Sequence, residues 1–114
     1  MTILLKRAYE KPDPEDGKRI LVERLWPRGI KKENAKIDEW LKDIAPSDKL
    51  RKWYEHDPAK WLQFKKKYFS ELGEKKDAVE KLRAESARGK ITFLVGSKEE
   101  KLNSAAALKE YLEN

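Results

Sequence analysis

The chain is 114 residues long, carries a formal net charge of +6, and is 42% charged against 39% hydrophobic, which limits it to one domain around a single modest core. With no cysteine and only one histidine, His56, it has no disulfide, no thiolate chemistry, no Cys-ligated metal and no His-rich metal centre within one chain. No stretch nears the ~20 apolar residues of a membrane span, and Met1 to Leu5 meets Lys6 and Arg7 in the wrong order for a secretory signal, so the expectation is a cytoplasmic protein with no membrane partner.

Thr2 to Tyr9 reads as an extended segment, closed by the turn-rich loop Pro12-Asp13-Pro14-Glu15-Asp16-Gly17. Arg19 to Trp26 follows; its apolar run from Ile20 predicts a mostly buried strand. Ile37, Trp40, Leu41 and Ile44 have helical spacing, but Pro46 cuts the run short, and a strand of about six residues over 38–44 fits nearly as well. Pro58 to Leu72 predicts a helix with Trp61, Phe64, Tyr68 and Leu72 on one stripe. Asp77 to Arg88 repeats that pattern with Ala78, Val79, Leu82 and Ala87. Ile91-Thr92-Phe93-Leu94-Val95, β-branched and aromatic between Gly89 and Gly96, is the clearest strand. Asn103 or Ser104 can cap a last helix carrying Ala105, Ala106, Leu108 and Leu112. Strands at both ends with helices between them predict one α/β domain over residues 1–114, with a small sheet.

The surplus charge sits in two blocks. Residues 18–32 carry six basic side chains against Glu23, and residues 49–67 carry seven against Glu55 and Asp57, each block amounting to +5. Such unevenness predicts an electrostatic face. In the second block Lys66 and Lys67 fall off the apolar stripe and read as a solvated surface, while the stem of Lys65 packs. In the first block Arg24 lies within an apolar strand, two residues before Trp26, and so on the same face if the strand is regular. Its partner is either a carboxylate, with Asp38, Glu39 or Asp43 as candidates, or a bound anion.

Trp26-Pro27-Arg28-Gly29 stands directly after that strand. Proline ends the strand, and glycine permits a positive φ or a close approach to a ligand. In α/β sheets ligands bind outside the carboxyl ends of the strands, and the planar fork of Arg28 suits phosphate or carboxylate. Gly96-Ser97-Lys98 and Ala45-Pro46-Ser47 leave the same edge if the strands are parallel. Arg24, Arg28, Ser47, Arg51, Ser97, Lys98 and Asn103 are therefore the candidate ligand-binding residues. His56-Asp57-Pro58 has two readings: Asp57 orients His56 as a general acid or base, or Asp57 caps the helix that begins at Pro58. Trp26, Trp40, Trp53 and Trp61 read mainly as core, with Trp26 the most exposed; stacking on nucleic-acid bases is the other use of such residues among lysines.

No Walker loop, dinucleotide glycine pattern, nucleophile-elbow serine or calcium loop is present, so neither a cofactor nor a metal is expected. Glutamine occurs once and asparagine three times among abundant Lys and Glu, a bias shared with heat-adapted proteins.

Asp16-Gly17-Lys18-Arg19-Ile20-Leu21-Val22-Glu23-Arg24-Leu25-Trp26-Pro27-Arg28-Gly29 resembles the signature of the YeaO-like family of unknown function (domain of unknown function 488). The resemblance continues through Asp38 to Lys42, Ala45-Pro46-Ser47, Leu50 to Trp53, His56-Asp57-Pro58, Trp61, Ile91 to Ser97 and Asn103. It implies a compact α/β domain with a small, largely parallel sheet of about four strands, which favours a strand over 38–44. It marks Arg24, Arg28, His56 and Asn103 as recurring positions without giving them roles. Longer relatives carry a cysteine-bearing segment after the last strand; here Glu100-Lys101-Leu102-Asn103 stands in its place, so no thiol mechanism carries over. The resulting expectation is a domain that binds a small phosphorylated or carboxylated ligand at the strand ends through Arg24 and Arg28, with His56 as acid or base if a reaction follows. The alternative is a nucleic-acid-binding module using blocks 18–32 and 49–67.

Overall fold

The computed structural model describes residues 2–97 and 101–113. Four strands, β1 (Ile3–Arg7), β2 (Lys18–Leu21), β3 (Glu39–Trp40) and β4 (Ile91–Val95), form one sheet in the order β1-β4-β2-β3. Every pairing is parallel. The helices are α1 (Lys32–Ala35), α2 (Asp48–Tyr54), α3 (Trp61–Gly73), α4 (Lys76–Arg88) and α5 (Ser104–Glu113), with short 3₁₀ turns at Pro14–Asp16, Lys42–Ile44 and Pro58–Lys60. The chain is a compact α/β domain whose parallel sheet is flanked by helices, as the sequence led one to expect.

Alternation along the central strands divides the core. Ile20, Val22, Ile91, Phe93 and Val95 belong to the larger cluster, with Phe64, Tyr68 and Leu72 of α3, Val79 and Leu82 of α4, and Leu108 and Leu112 of α5. Leu21 and Leu94 belong to a second cluster with Ala8, against which Trp26, Ile30, Ile37 and Trp40 pack. Both faces are covered, so all five residues of β4 are buried, as a central parallel strand requires. In α4 the third buried position is Ser86 rather than the expected Ala87. Its hydroxyl donates to the Arg83 carbonyl one turn back, which satisfies the buried oxygen.

Two strands are shorter than their sequence suggests, for one reason. The run from Arg19 to Trp26 leaves the sheet after Leu21, apart from a last bond from Val22 N–H to the Leu94 carbonyl at 3.2 Å. Beyond it β4 gives out, because the Gly96 N–H turns to the Glu23 carboxylate instead of the ladder. Arg24 and Trp26 therefore do not share a strand face. With β2 ended, β3 has nothing left to pair with: it keeps Glu39 and Trp40, and residues 42–44 wind into a 3₁₀ turn in place of the longer strand expected over 38–44.

Candidate functional site

Because all four strands point the same way, the loops that follow them leave one edge of the sheet. There they surround a cleft of about 510 Å³ lined by Tyr9 after β1, Glu23 to Arg28 after β2, Ala45 and Pro46 after β3, and Gly96 and Ser97 after β4. Arg51, Lys52 and Tyr54 of α2, the following Glu55 and His56, and Asn103 before α5 close it. This size is within the ordinary range of small-molecule sites, roughly 300–1,000 Å³.

The loop after β2 is held by its own polar groups. Trp26 Nε1 donates to the Ile30 carbonyl at 2.8 Å, and Trp40 Nε1 donates to the Glu23 carbonyl at 2.6 Å. The two indoles meet edge to face, 5.3 Å between centroids. Pro27 is buried, and Gly29 takes φ +81°, a conformation that glycine adopts without strain. The Tyr9 hydroxyl donates to the Arg28 carbonyl at 2.9 Å. Arg28 thus has a fixed main chain and an exposed side chain with no hydrogen bond or ion pair among the described residues.

Arg24 is anchored differently. Its Nε donates to the Pro46 carbonyl at 2.7 Å and its Nη2 to the Ala45 carbonyl at 3.4 Å, tying the loops after β2 and β3 together. None of the three candidate carboxylates pairs with it: Asp38 accepts the Arg19 N–H, and Glu39 holds Lys18 and Lys81. Main-chain carbonyls orient the guanidinium without neutralising its charge.

Of the other residues singled out by sequence, Arg51, His56, Ser97 and Asn103 also line the cleft. Arg51 is exposed and makes one bond, to Asp48 at 3.2 Å. Ser97 gives its carbonyl to Arg7 Nε at 3.0 Å. Asn103, 3% exposed, caps α5, its Oδ1 accepting the Ala106 N–H at 2.9 Å. Ser47 stands outside the lining: it caps α2 through the Leu50 N–H, and its hydroxyl and N–H both donate to Glu71. Lys98 lies outside the described residues.

Glu55 and His56 are consecutive non-glycine residues at φ +48° and +56°, a left-handed pair that costs of order 1 kcal/mol or more each. His56 is exposed, its ring tilted over Tyr54 at 6.0 Å. Asp57 caps the Pro58–Lys60 turn through the Ala59 N–H, the second of the two uses open to it.

Sequence reasoning passed over Glu23. Its Oε1 accepts the Gly96 N–H at 3.3 Å. Burial raises its pKa above the ordinary glutamate value, against the Gly96 bond and the positive charge of Arg51, which pull it down. The signal was available: it is the one acid in the basic stretch 18–32. All four tryptophans, Trp26 included, are half-buried. Among the described residues no cluster of His, Asp or Glu could hold a metal ion, and no helix is long and apolar enough to cross a membrane.

The fold and cleft define a parallel α/β domain with a concave, predominantly cationic site at the carboxyl ends of its strands. Residues 2–114 match the family described as the inactive DUF488-N3 subclade, and the chain belongs to that family. It is 38% identical over 112 residues to the uncharacterised protein YeaO of Escherichia coli, covering 98% of this chain and 97% of the relative. It is also 37% identical over 110 residues to an uncharacterised protein of Mycobacterium tuberculosis, covering 96% and 92%. No solved structure gives a significant match.

Proposed function

We propose that the cleft binds a small anionic ligand, phosphorylated or carboxylated, through Arg28 and Arg24, and that the domain acts by binding rather than by turnover. The observation that carries this reading is the state of the two guanidiniums. Among the described residues neither is clamped by a carboxylate and Arg28 has no partner, Arg24 is oriented by two carbonyls, and both border the same cleft of about 510 Å³. Arg51 and Lys52 add positive charge against Glu23 and Glu55. The half-buried Arg24 guanidinium is costly without an anion, and a phosphate or carboxylate that accepts from its fork relieves that cost, with the exposed fork of Arg28 free to close on the same group. The description of the subclade as inactive, together with a chain free of cysteine, favours binding over catalysis.

Nucleic-acid binding draws less support. Of the first basic block, Lys18 is taken up by Glu39 and Glu85, and Arg19 by Asp16. In the second, Lys65 is paired with Glu110.

Thermal-shift titration with phosphate, sulfate and acetate at constant ionic strength tests the proposal. An anion at a hundredfold excess over its Kd stabilises by about 2.7 kcal/mol, a rise of several degrees in Tm that Arg28→Ala removes. The absence of any shift, or a shift that survives Arg28→Ala, overturns it. Oligonucleotide binding with a salt slope of about −0.9 per phosphate contacted would favour the nucleic-acid reading instead.

A further inference from the structure

Anion binding by itself leaves Glu23 without a purpose. The residue is held from behind, its carbonyl bonded to Trp40 Nε1, while its side chain lines the cleft. Among the described residues the carboxylate receives one hydrogen bond, from Gly96 N–H at 3.3 Å, beyond the usual range for such bonds. Among the described residues no lysine or arginine reaches ion-pair distance of it, although Arg51 is near enough for its charge to be felt. Four of the other buried or half-buried carboxylates are treated otherwise, and a fifth, Asp57, is used as the cap that accepts the Ala59 N–H. Asp16 holds Lys6 and Arg19, Glu39 holds Lys18 and Lys81, Glu85 holds Lys18, and Glu71 takes two donors from Ser47. An ionised carboxylate removed from water without a cation is unfavourable, and one placed beside an anion site repels the very ligand the arginines attract.

Both difficulties disappear if the ligand brings the missing cation. We infer that the cleft recognises a small zwitterion, its phosphate or carboxylate held by Arg28 and Arg24 and its protonated amine held by Glu23. The inference rests on the anion reading of the same cleft and adds the class of molecule. An ammonium fits better than a hydroxyl, because a neutral donor would satisfy the lone pairs of Glu23 and leave its charge uncompensated. The volume holds an amino acid or an aminoalkyl phosphate, and Pro46, Tyr54 and Phe64 offer an apolar wall to the rest of it. The Gly96 bond links the carboxylate to the loop after β4, so occupation of Glu23 also bears on that loop.

The experiment compares pairs of probes that differ only in the amine: O-phosphoethanolamine against ethyl phosphate, and phenylalanine against 3-phenylpropionate. Binding is measured by calorimetry at neutral pH and fixed ionic strength, with inorganic phosphate as the reference anion. The wild-type protein is expected to prefer the amine-bearing member of one pair about tenfold, the scale of a charge-assisted hydrogen bond; which pair responds separates phosphate from carboxylate. Glu23→Gln, which keeps an oxygen for the Gly96 N–H, is expected to cut that preference below twofold while phosphate binds as well as before or better. Retained phosphate binding also reports that the variant is folded. Equal binding of both members by the wild type, failure of every pair while phosphate binds, or a preference that persists in Glu23→Gln overturns the inference and leaves the anion site standing. Failure of phosphate and of every phosphate- and carboxylate-bearing probe to bind the wild type overturns both.

Discussion

At the amino-terminal end of the sheet Arg19 is 4% exposed, with Nη1 on the Asp16 carboxylate and Nε on the Ala35 carbonyl at 3.1 Å. Asp16 is shared with Lys6, and its carbonyl accepts the Thr92 hydroxyl. At the carboxyl end Arg24 rests on carbonyls and Arg28 stands exposed without a partner among the described residues. The acids divide in the same way: Asp16 is paired with two cations, Glu23 with none described. One basic stretch of sequence therefore serves two purposes. Its first arginine is spent on stability, and its later ones are kept available at the edge where a parallel sheet forms sites.

That contrast can be broken most forcefully at the arginines. Arg19→Ala leaves Asp16 buried with half its partners and is expected to cost about 3–5 kcal/mol, read from urea unfolding. Arg28→Ala, an exposed change, is expected to stay within about 0.5 kcal/mol while abolishing the anion-induced shift. Comparable losses at both positions would erase the distinction.

The glycines sharpen it next. Gly17 has φ +64°, and a Cβ there would lie 2.2 Å from the Lys90 carbonyl oxygen, so main chain would have to move. Gly29 has φ +81° but open space around the same position. Gly17→Ala is expected to cost about 2–4 kcal/mol from strain and overpacking together, and Gly29→Ala about 1 kcal/mol from strain alone. Chemical denaturation of the two variants side by side decides it.

The smallest effect is in pH dependence, where the two ends should differ in sign. Burial works to raise the pKa of Asp16, but the hydrogen bonds from Lys6, Arg19 and the Asp13 backbone outweigh it and hold the carboxyl below the ordinary aspartate value. Its stabilisation is complete above the unfolded-state pKa and is lost as pH falls through the folded one. Glu23, raised by burial, behaves in reverse: stability falls as pH climbs from the ordinary glutamate value through the folded one. In stability measured from acid to neutral pH, Asp16→Asn should flatten the acid limb. Glu23→Gln should raise stability near neutrality and lose that advantage in acid. A shared sign would contradict the assignment of the two carboxylates.

Much of the fold was legible beforehand. Ile91 to Val95 is a strand to the residue, because an apolar β-branched run bounded by glycines leaves little choice. The stripe Phe64, Tyr68 and Leu72 is buried as its spacing demanded. Legibility failed where an element needed a neighbour. Residues 22–26 are as strand-like as 19–21, yet they leave the sheet because β4 ends beside them. Ser47 has the look of a site residue in sequence, and only the approach of Glu71 from α3 reveals a helix cap. Glu23 reads as one acid among bases until Gly96, remote in sequence, comes to rest on it.

By itself, then, the sequence determined the class of domain, the positions of its buried stripes, the exclusion of thiol chemistry and the family to which the chain belongs. Periodicity and composition are local properties, and they constrain what a segment can bury. Which charges are neutralised, and which are left facing a cleft, was decided only in three dimensions. The partner of a charged side chain is a group brought within a few ångströms from a distant part of the chain, as the Pro46 carbonyl is to Arg24 and the Gly96 N–H to Glu23.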